Sequence, residues 1–144
     1  MRSLLDINVL IALMDADHSF HERAHAWWSE ENPAWASCPL TENGLVRIMS
    51  AATYSKIQRF RAVALIAQFQ TFVANTKHAF WSDAISLRDG ARFDHNRILS
   101  PGHLTDFYLL ALAVENGGRL VTFDRAIPLA AVRGAAAEHL LVLG

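Results

Sequence analysis

The chain has 144 residues, 52% hydrophobic and 19% charged, a balance that suits one folded domain over residues 1–144 and excludes a disordered or low-complexity protein. Its net charge of −1 excludes nucleic-acid binding by bulk positive charge, so any such contact must come from a local basic patch or through bound cations. A single cysteine, Cys38, excludes an internal disulfide and suits the cytoplasm, and no run reaches the roughly 20 apolar residues of a membrane span.

Ser3-Leu4-Leu5 reads as a short buried strand ending at Asp6, and Asn8 to Met14 as a helix with Val9, Leu10 and Leu13 on one face. The apolar run after Arg2 is not read as a secretion signal, because Asp6 and Asn8 interrupt it and no small-residue cleavage site follows. A second helix is predicted from about Ser19 to Glu30, closed by Pro33, then a strand over Ala34 to Cys38. Thr41 is placed as the N-cap of a helix carrying Leu45, Ile48 and Met49. The next helix is predicted over about Gln58 to Ala74, with Phe60, Val63, Ile66, Ala67 and Phe69 near helical spacing. A strand at His78 to Trp81, a brief helix at Ala84 to Ala91 and a loop from Phe93 to His103 follow. Thr105 is placed as the cap of a helix that stops at Gly117-Gly118, ahead of strands at Arg119 to Phe123 and His139 to Leu143.

Strands alternating with helices, and strands apolar without alternation, predict an α/β fold: a central parallel sheet in a three-layer α/β/α sandwich. In such sheets ligands bind beyond the carboxyl ends of the strands. Asp6 closes the first strand and Asp124 follows the fourth, while Glu42 and Asp106 begin helices, each after a threonine. All four carboxylates can therefore meet at one edge, with Asn8, Thr105 and Thr122 as neutral oxygens nearby. Two carboxylates about 4 Å apart repel by roughly 4 kcal/mol at an effective dielectric of about 20, so protons or a cation must neutralise them. An oxygen-only donor set suits Mg²⁺ or Mn²⁺ rather than Zn²⁺, and such a site suits phosphodiester hydrolysis. Read singly, each acid also has a plain role: Asp6, Glu42 and Asp106 complement a helix dipole and Asp124 caps a turn.

At these residues the sequence resembles the PIN-domain ribonucleases, in particular the VapC-type toxins of VapBC toxin–antitoxin systems. The resemblance rests on Leu4-Leu5-Asp6-Ile7-Asn8-Val9-Leu10-Ile11, Thr41-Glu42-Asn43-Gly44-Leu45-Val46-Arg47, Thr105 to Ala113 and Gly118 to Asp124, in this order and spacing. It implies a Mg²⁺- or Mn²⁺-dependent endoribonuclease, usually a homodimer, held inactive by a cognate antitoxin. It also implies that Asp6, Glu42, Asp106 and Asp124 are the metal-binding and catalytic acids, supported by Asn8 and Thr122. Ile7 departs from the threonine or alanine of many members, and residues 50–101 match no motif.

Arg47, Lys56, Arg59 and Arg61 form the densest basic stretch and are candidate RNA-backbone contacts, with a solvated surface as the plain alternative. His18, His21 and His25 share one helical face but lack the further ligand of a structural zinc site. Trp27, Trp28, Trp35 and Trp81 suit either base stacking or core packing. Two other functional classes compete with a ribonuclease: a catalytically silent α/β module binding RNA or protein, and a different metal-dependent phosphoesterase.

Overall fold

The computed structural model describes residues 1–144. Five short strands, β1 (Ser3–Leu5), β2 (Trp35–Ser37), β3 (His78–Phe80), β4 (Arg119–Thr122) and β5 (Leu140–Val142), form one sheet in the order β3-β2-β1-β4-β5. Every neighbouring pair is parallel. The chain first winds outward from β1 to β3, then returns to place β4 on the other side of β1. The winding reverses at β1, where two connections diverge and leave a crevice at the carboxyl edge.

Alternate strand residues feed two cores. Leu5, Trp35 and Val121 pack with α1 (Ile7–Met14), α3 (Pro39–Met49) and α4 (Ala62–Ala74), joined by Ala24 of α2 (His21–Glu31). Leu4, Ala36 and Leu120 pack on the opposite face against α5 (Leu104–Glu115), through Phe107 and Leu109 to Ala113. Residues 3–5 and 120–122 are all buried, which explains why these strands are apolar without alternation. The predicted three-layer α/β/α architecture is the one observed.

Two glycines permit close approaches. A Cβ at Gly118 would lie 2.5 Å from the Arg2 carbonyl oxygen and 2.7 Å from the Trp81 ring. At Gly44 it would lie 2.5 Å from Cδ1 of Ile7, the side chain that fills the space between α1 and α3. Trp35 is wholly buried and packs edge-on against Trp28 and Phe69 and tilted against Phe72, which makes it a core residue; Trp27, Trp28 and Trp81 are half-buried.

Several expected boundaries move. Helix α3 starts at Pro39, whose fixed φ suits a first helical position, and Cys38 is the N-cap. Thr41 instead lies inside the first turn, where its Oγ1 accepts the Cys38 N–H at 3.0 Å. Likewise α5 starts at Leu104 behind His103, so Thr105 is a first-turn residue rather than a cap. Helix α4 begins at Ala62 instead of Gln58, and its inward face runs through Leu65 and Phe69, leaving Val63 65% and Ile66 47% exposed. The helix expected at Ala84 to Ala91 is absent. There the Ser86 hydroxyl accepts the Arg88 N–H and the Asp89 carboxylate accepts the Ala91 N–H, turns that displace helical hydrogen bonds beside Gly90. No helix is long and apolar enough to cross a membrane.

Candidate active site

Asp6 follows β1 directly and N-caps α1: its Oδ1 accepts the Ile7 N–H at 2.7 Å. Its Oδ2 accepts the Thr122 hydroxyl at 2.7 Å, and the residue is only 6% exposed. Burial pushes the Asp6 carboxyl up, partly opposed by those two hydrogen bonds, and the Asp124 charge adds to the rise. Thr122 Oγ1 in turn accepts the Asp124 N–H at 3.0 Å and faces Asn8 Nδ2 at 3.5 Å. Asn8 Oδ1 accepts the Phe123 N–H at 3.4 Å, so Asn8 and Thr122 latch the end of β4 to the first turn of α1.

Asp106 reaches the same place from the other layer, out of the first turn of α5. Its carboxyl is pushed up to about 7, by burial first, then by the charge of Asp6, then by a hydrogen bond to Asp124 and that residue's charge. One donor atom each of His103, Asp106 and Asp124 lies within 4.8 Å of the others. No lysine or arginine forms an ion pair with Asp6, Asp106 or Asp124. Three acids thus converge with the His103 imidazole beside two of them and no lysine or arginine paired to any. Asp124 also accepts the Ala126 N–H at 2.9 Å, so it closes a turn as well as facing the cluster.

Glu42 is turned elsewhere. Its Oε2 accepts the hydroxyl of buried Ser37 at 2.6 Å, and Ser37 Oγ lies 2.7 Å from Nε2 of His78. Burial lowers the His78 pKa, so its neutral ring donates through Nε2 while Ser37 donates onward to the glutamate. Thr105 is exposed and lines a recess next to the cluster. Arg47, Lys56, Arg59 and Arg61 are exposed on α3 and on the connection to α4, and none makes an ion pair. Of the three histidines expected on one helical face, His18 lies in the turn before α2, where its Nδ1 accepts the Phe20 N–H; His21 Nδ1 faces the Ala12 carbonyl at 2.7 Å, and His25 packs on His21.

His103 escaped the sequence reading, which took the donor set as oxygen only. The signal available was its spacing of three residues before Asp106, which brings the two side chains together across a helix start.

The family model of the PIN domain matches residues 3–133. The chain belongs to the PIN-domain family. Over 146 aligned residues this PIN domain is 48% identical to the ribonuclease VapC44 of Mycobacterium tuberculosis, covering 99% of this chain and all of that protein. It is 40% identical to the ribonuclease VapC39 of the same organism, covering 88% of this chain and 91% of the relative. Among solved structures, VapBC2 from Rickettsia felis bound to a promoter DNA fragment superimposes with a TM-score of 0.52. It covers 88% of this chain and 90% of that one, and at 11% identity the likeness is one of fold.

Proposed function

We propose that this PIN domain, one domain over residues 1–144, is a Mg²⁺- or Mn²⁺-dependent endoribonuclease and the toxin of a type II toxin–antitoxin pair. The observation that carries the reading is the meeting of Asp6, Asp106 and Asp124 at the carboxyl edge, beside the His103 imidazole and with no lysine or arginine paired to them. The ribonuclease names of full-length relatives support the substrate class.

The donor set fits a divalent cation: a proton on Asp106 holds the negative charge in check, and a cation would take over that task. Asp6, Asp106 and Asp124 would hold the ion, with Glu42 as the fourth acid and His103 as a nitrogen donor that Mn²⁺ accepts more readily than Mg²⁺. When bound, such an ion supplies Lewis acidity and makes water a stronger nucleophile at neutral pH. The chain's own residues prepare the site. Thr122 and the Ile7 amide orient Asp6 and Asn8 fixes the strand end beside Asp124, while Glu42 would join them by turning from the Ser37 hydroxyl it now accepts. With its carboxyl raised to about 7, Asp106 would hold such an ion better as pH rises.

Arg47, Lys56, Arg59 and Arg61 are the proposed RNA-backbone contacts. A cognate antitoxin, a homodimer and a cytoplasmic setting complete the reading. The test is cleavage of labelled total RNA by the purified protein with Mg²⁺ or Mn²⁺, repeated with chelator and with Asp6→Asn. Discrete fragments that vanish in both controls support the nuclease. Binding of RNA or of a partner protein with no cleavage under either metal would favour the catalytically silent module.

A further inference from the structure

Beside the carboxylates, and not part of them, lies a recess of about 260 Å³ lined by Leu40, Asp83, Leu87, Leu104, Thr105 and Tyr108. Leu40 lies in the first turn of α3, two residues before Glu42. Leu104 and Thr105 open α5 immediately before Asp106, and Asp83 and Leu87 come from the segment leaving β3. These positions, after β2, after β3 and at the start of α5, place the recess on the same carboxyl edge of the sheet as the proposed cleavage site. Leu40, Leu87 and Leu104 remain 36%, 37% and 36% exposed, so apolar walls face solvent there.

One carboxylate stands among these walls. Asp83 is exposed at the rim; the Tyr108 hydroxyl donates to its Oδ1 at 2.7 Å, while Oδ2 faces solvent with no protein partner and no cation pairs with the residue. Burial and the neighbouring Asp83 raise the Tyr108 pKa, so the phenol stays protonated and keeps donating.

We propose that this recess binds one unpaired guanine base of the RNA strand next to the scissile phosphate, a specificity site that rests on the ribonuclease reading above. Unpaired bases pack on apolar and aromatic side chains and are then read along their edges. A carboxylate is acceptor-only and has two oxygens, each able to take more than one hydrogen bond. Guanine is the base that offers two adjacent donors, N1–H and the 2-amino group, on one edge. Adenine and cytosine offer an amino group beside a ring acceptor. Uracil presents one N–H between two carbonyl oxygens, which the Asp83 charge repels.

The test uses the full chain with labelled leucine methyl groups, followed by NMR while guanosine 5′-monophosphate or uridine 5′-monophosphate is added. Methyl signals of Leu40, Leu87 and Leu104 are expected to shift with the guanine nucleotide at a concentration about tenfold lower than with the uracil one. Asp83→Asn keeps an acceptor for Tyr108 but replaces one carboxylate oxygen by a donor, and is expected to abolish that difference. Equal response to both nucleotides, shifts confined to other residues, or an unchanged preference in Asp83→Asn would overturn the proposal. So would leucine signals that respond only to protein concentration, which would assign the recess to a second copy. Mapping of cut ends separates the two readings. Cleavage with no guanine bias in the wild type, or a guanine bias that Asp83→Asn leaves unchanged, overturns the base site alone. A selective guanine response in a protein that never cleaves overturns the nuclease and leaves the base site standing.

Discussion

Thr122 donates its hydroxyl to Asp6 Oδ2 at 2.7 Å, joining the last residue of β4 to the first residue beyond β1 across 116 positions of sequence. Thr122 Oγ1 also accepts the Asp124 N–H, so one atom aligns two acids. Outer groups that orient metal ligands are typically worth about 10- to 100-fold in affinity or activity. We expect Thr122→Val to weaken Mn²⁺ binding and RNA cleavage by about that factor, and Thr122→Ser to restore both. Calorimetric titration with Mn²⁺ measures the first. Wild-type affinity in Thr122→Val would limit Thr122 to packing.

The acid cluster should make stability depend on pH. The Asp106 carboxyl rises from its ordinary 3.8 to about 7, so the folded protein without metal holds a proton that the unfolded chain releases earlier. Its contribution is full below the unfolded value and is lost as pH rises through the folded one. Thermal melts in chelator should therefore show a falling transition temperature between about pH 4 and 7, reversed by Mn²⁺. Asp106→Asn, which stays neutral, should flatten that fall. A fall that persists undiminished in this variant would assign the effect to other groups.

Glu42→Gln tests whether the glutamate does more than anchor Ser37. The amide oxygen can still accept the Ser37 hydroxyl, so the fold should melt near the wild-type temperature while cleavage falls by about tenfold or more. Ser37→Ala removes the hydroxyl that holds Glu42, at roughly 1 kcal/mol of stability. Full cleavage by Glu42→Gln would remove this acid from the mechanism.

Gly118→Ala should be costly and Gly44→Ala less so. At Gly118 the new methyl meets the Arg2 carbonyl, which is fixed in the sheet, whereas at Gly44 it meets the movable end of Ile7. Overpacking of this kind costs about 1–3 kcal/mol, and we expect Gly118→Ala to reach that range in urea denaturation. Equal stabilities for the two variants would show that β4 adjusts more freely than its burial suggests.

The exposed cations bear on RNA affinity through salt. Each phosphate contact on a single strand contributes about 0.7 to the slope of log affinity against log salt. Binding measured in the Asp6→Asn background should lose about that much slope for each of Arg47, Lys56, Arg59 and Arg61 replaced by alanine. An unchanged slope in the fourfold variant would place the backbone path elsewhere.

The α/β/α order was legible because β1, β4 and α5 are apolar and uninterrupted, and because Asp6 and Asp124 mark the strand ends. Boundaries were less legible where a first-turn threonine looks like a cap: Thr41 and Thr105 both sit inside their helices, behind Cys38 and His103. The absent helix at Ala84 to Ala91 was hidden by composition, since alanine and leucine favour helix while Ser86 and Asp89 tie down their own backbone. At the site, positions of the acids along the chain carried information, but directions of side chains did not. Nothing in Thr41-Glu42 indicates that Ser37 holds the glutamate, and nothing in Pro101-Gly102-His103 indicates that its imidazole faces Asp106.

The central strand of the sheet, β1, is made first, and one of its two neighbours, β4, is made nearly last. Asp6 leaves the ribosome early, but its partners Asp106, Thr122 and Asp124 follow a hundred or more residues later. Until then α1 has no β4 to rest beside, and the carboxylates are scattered along an unfinished chain. A growing polypeptide of this design has no assembled acid cluster until its β4 segment has been made, so any chemistry that needs the three carboxylates together begins only then.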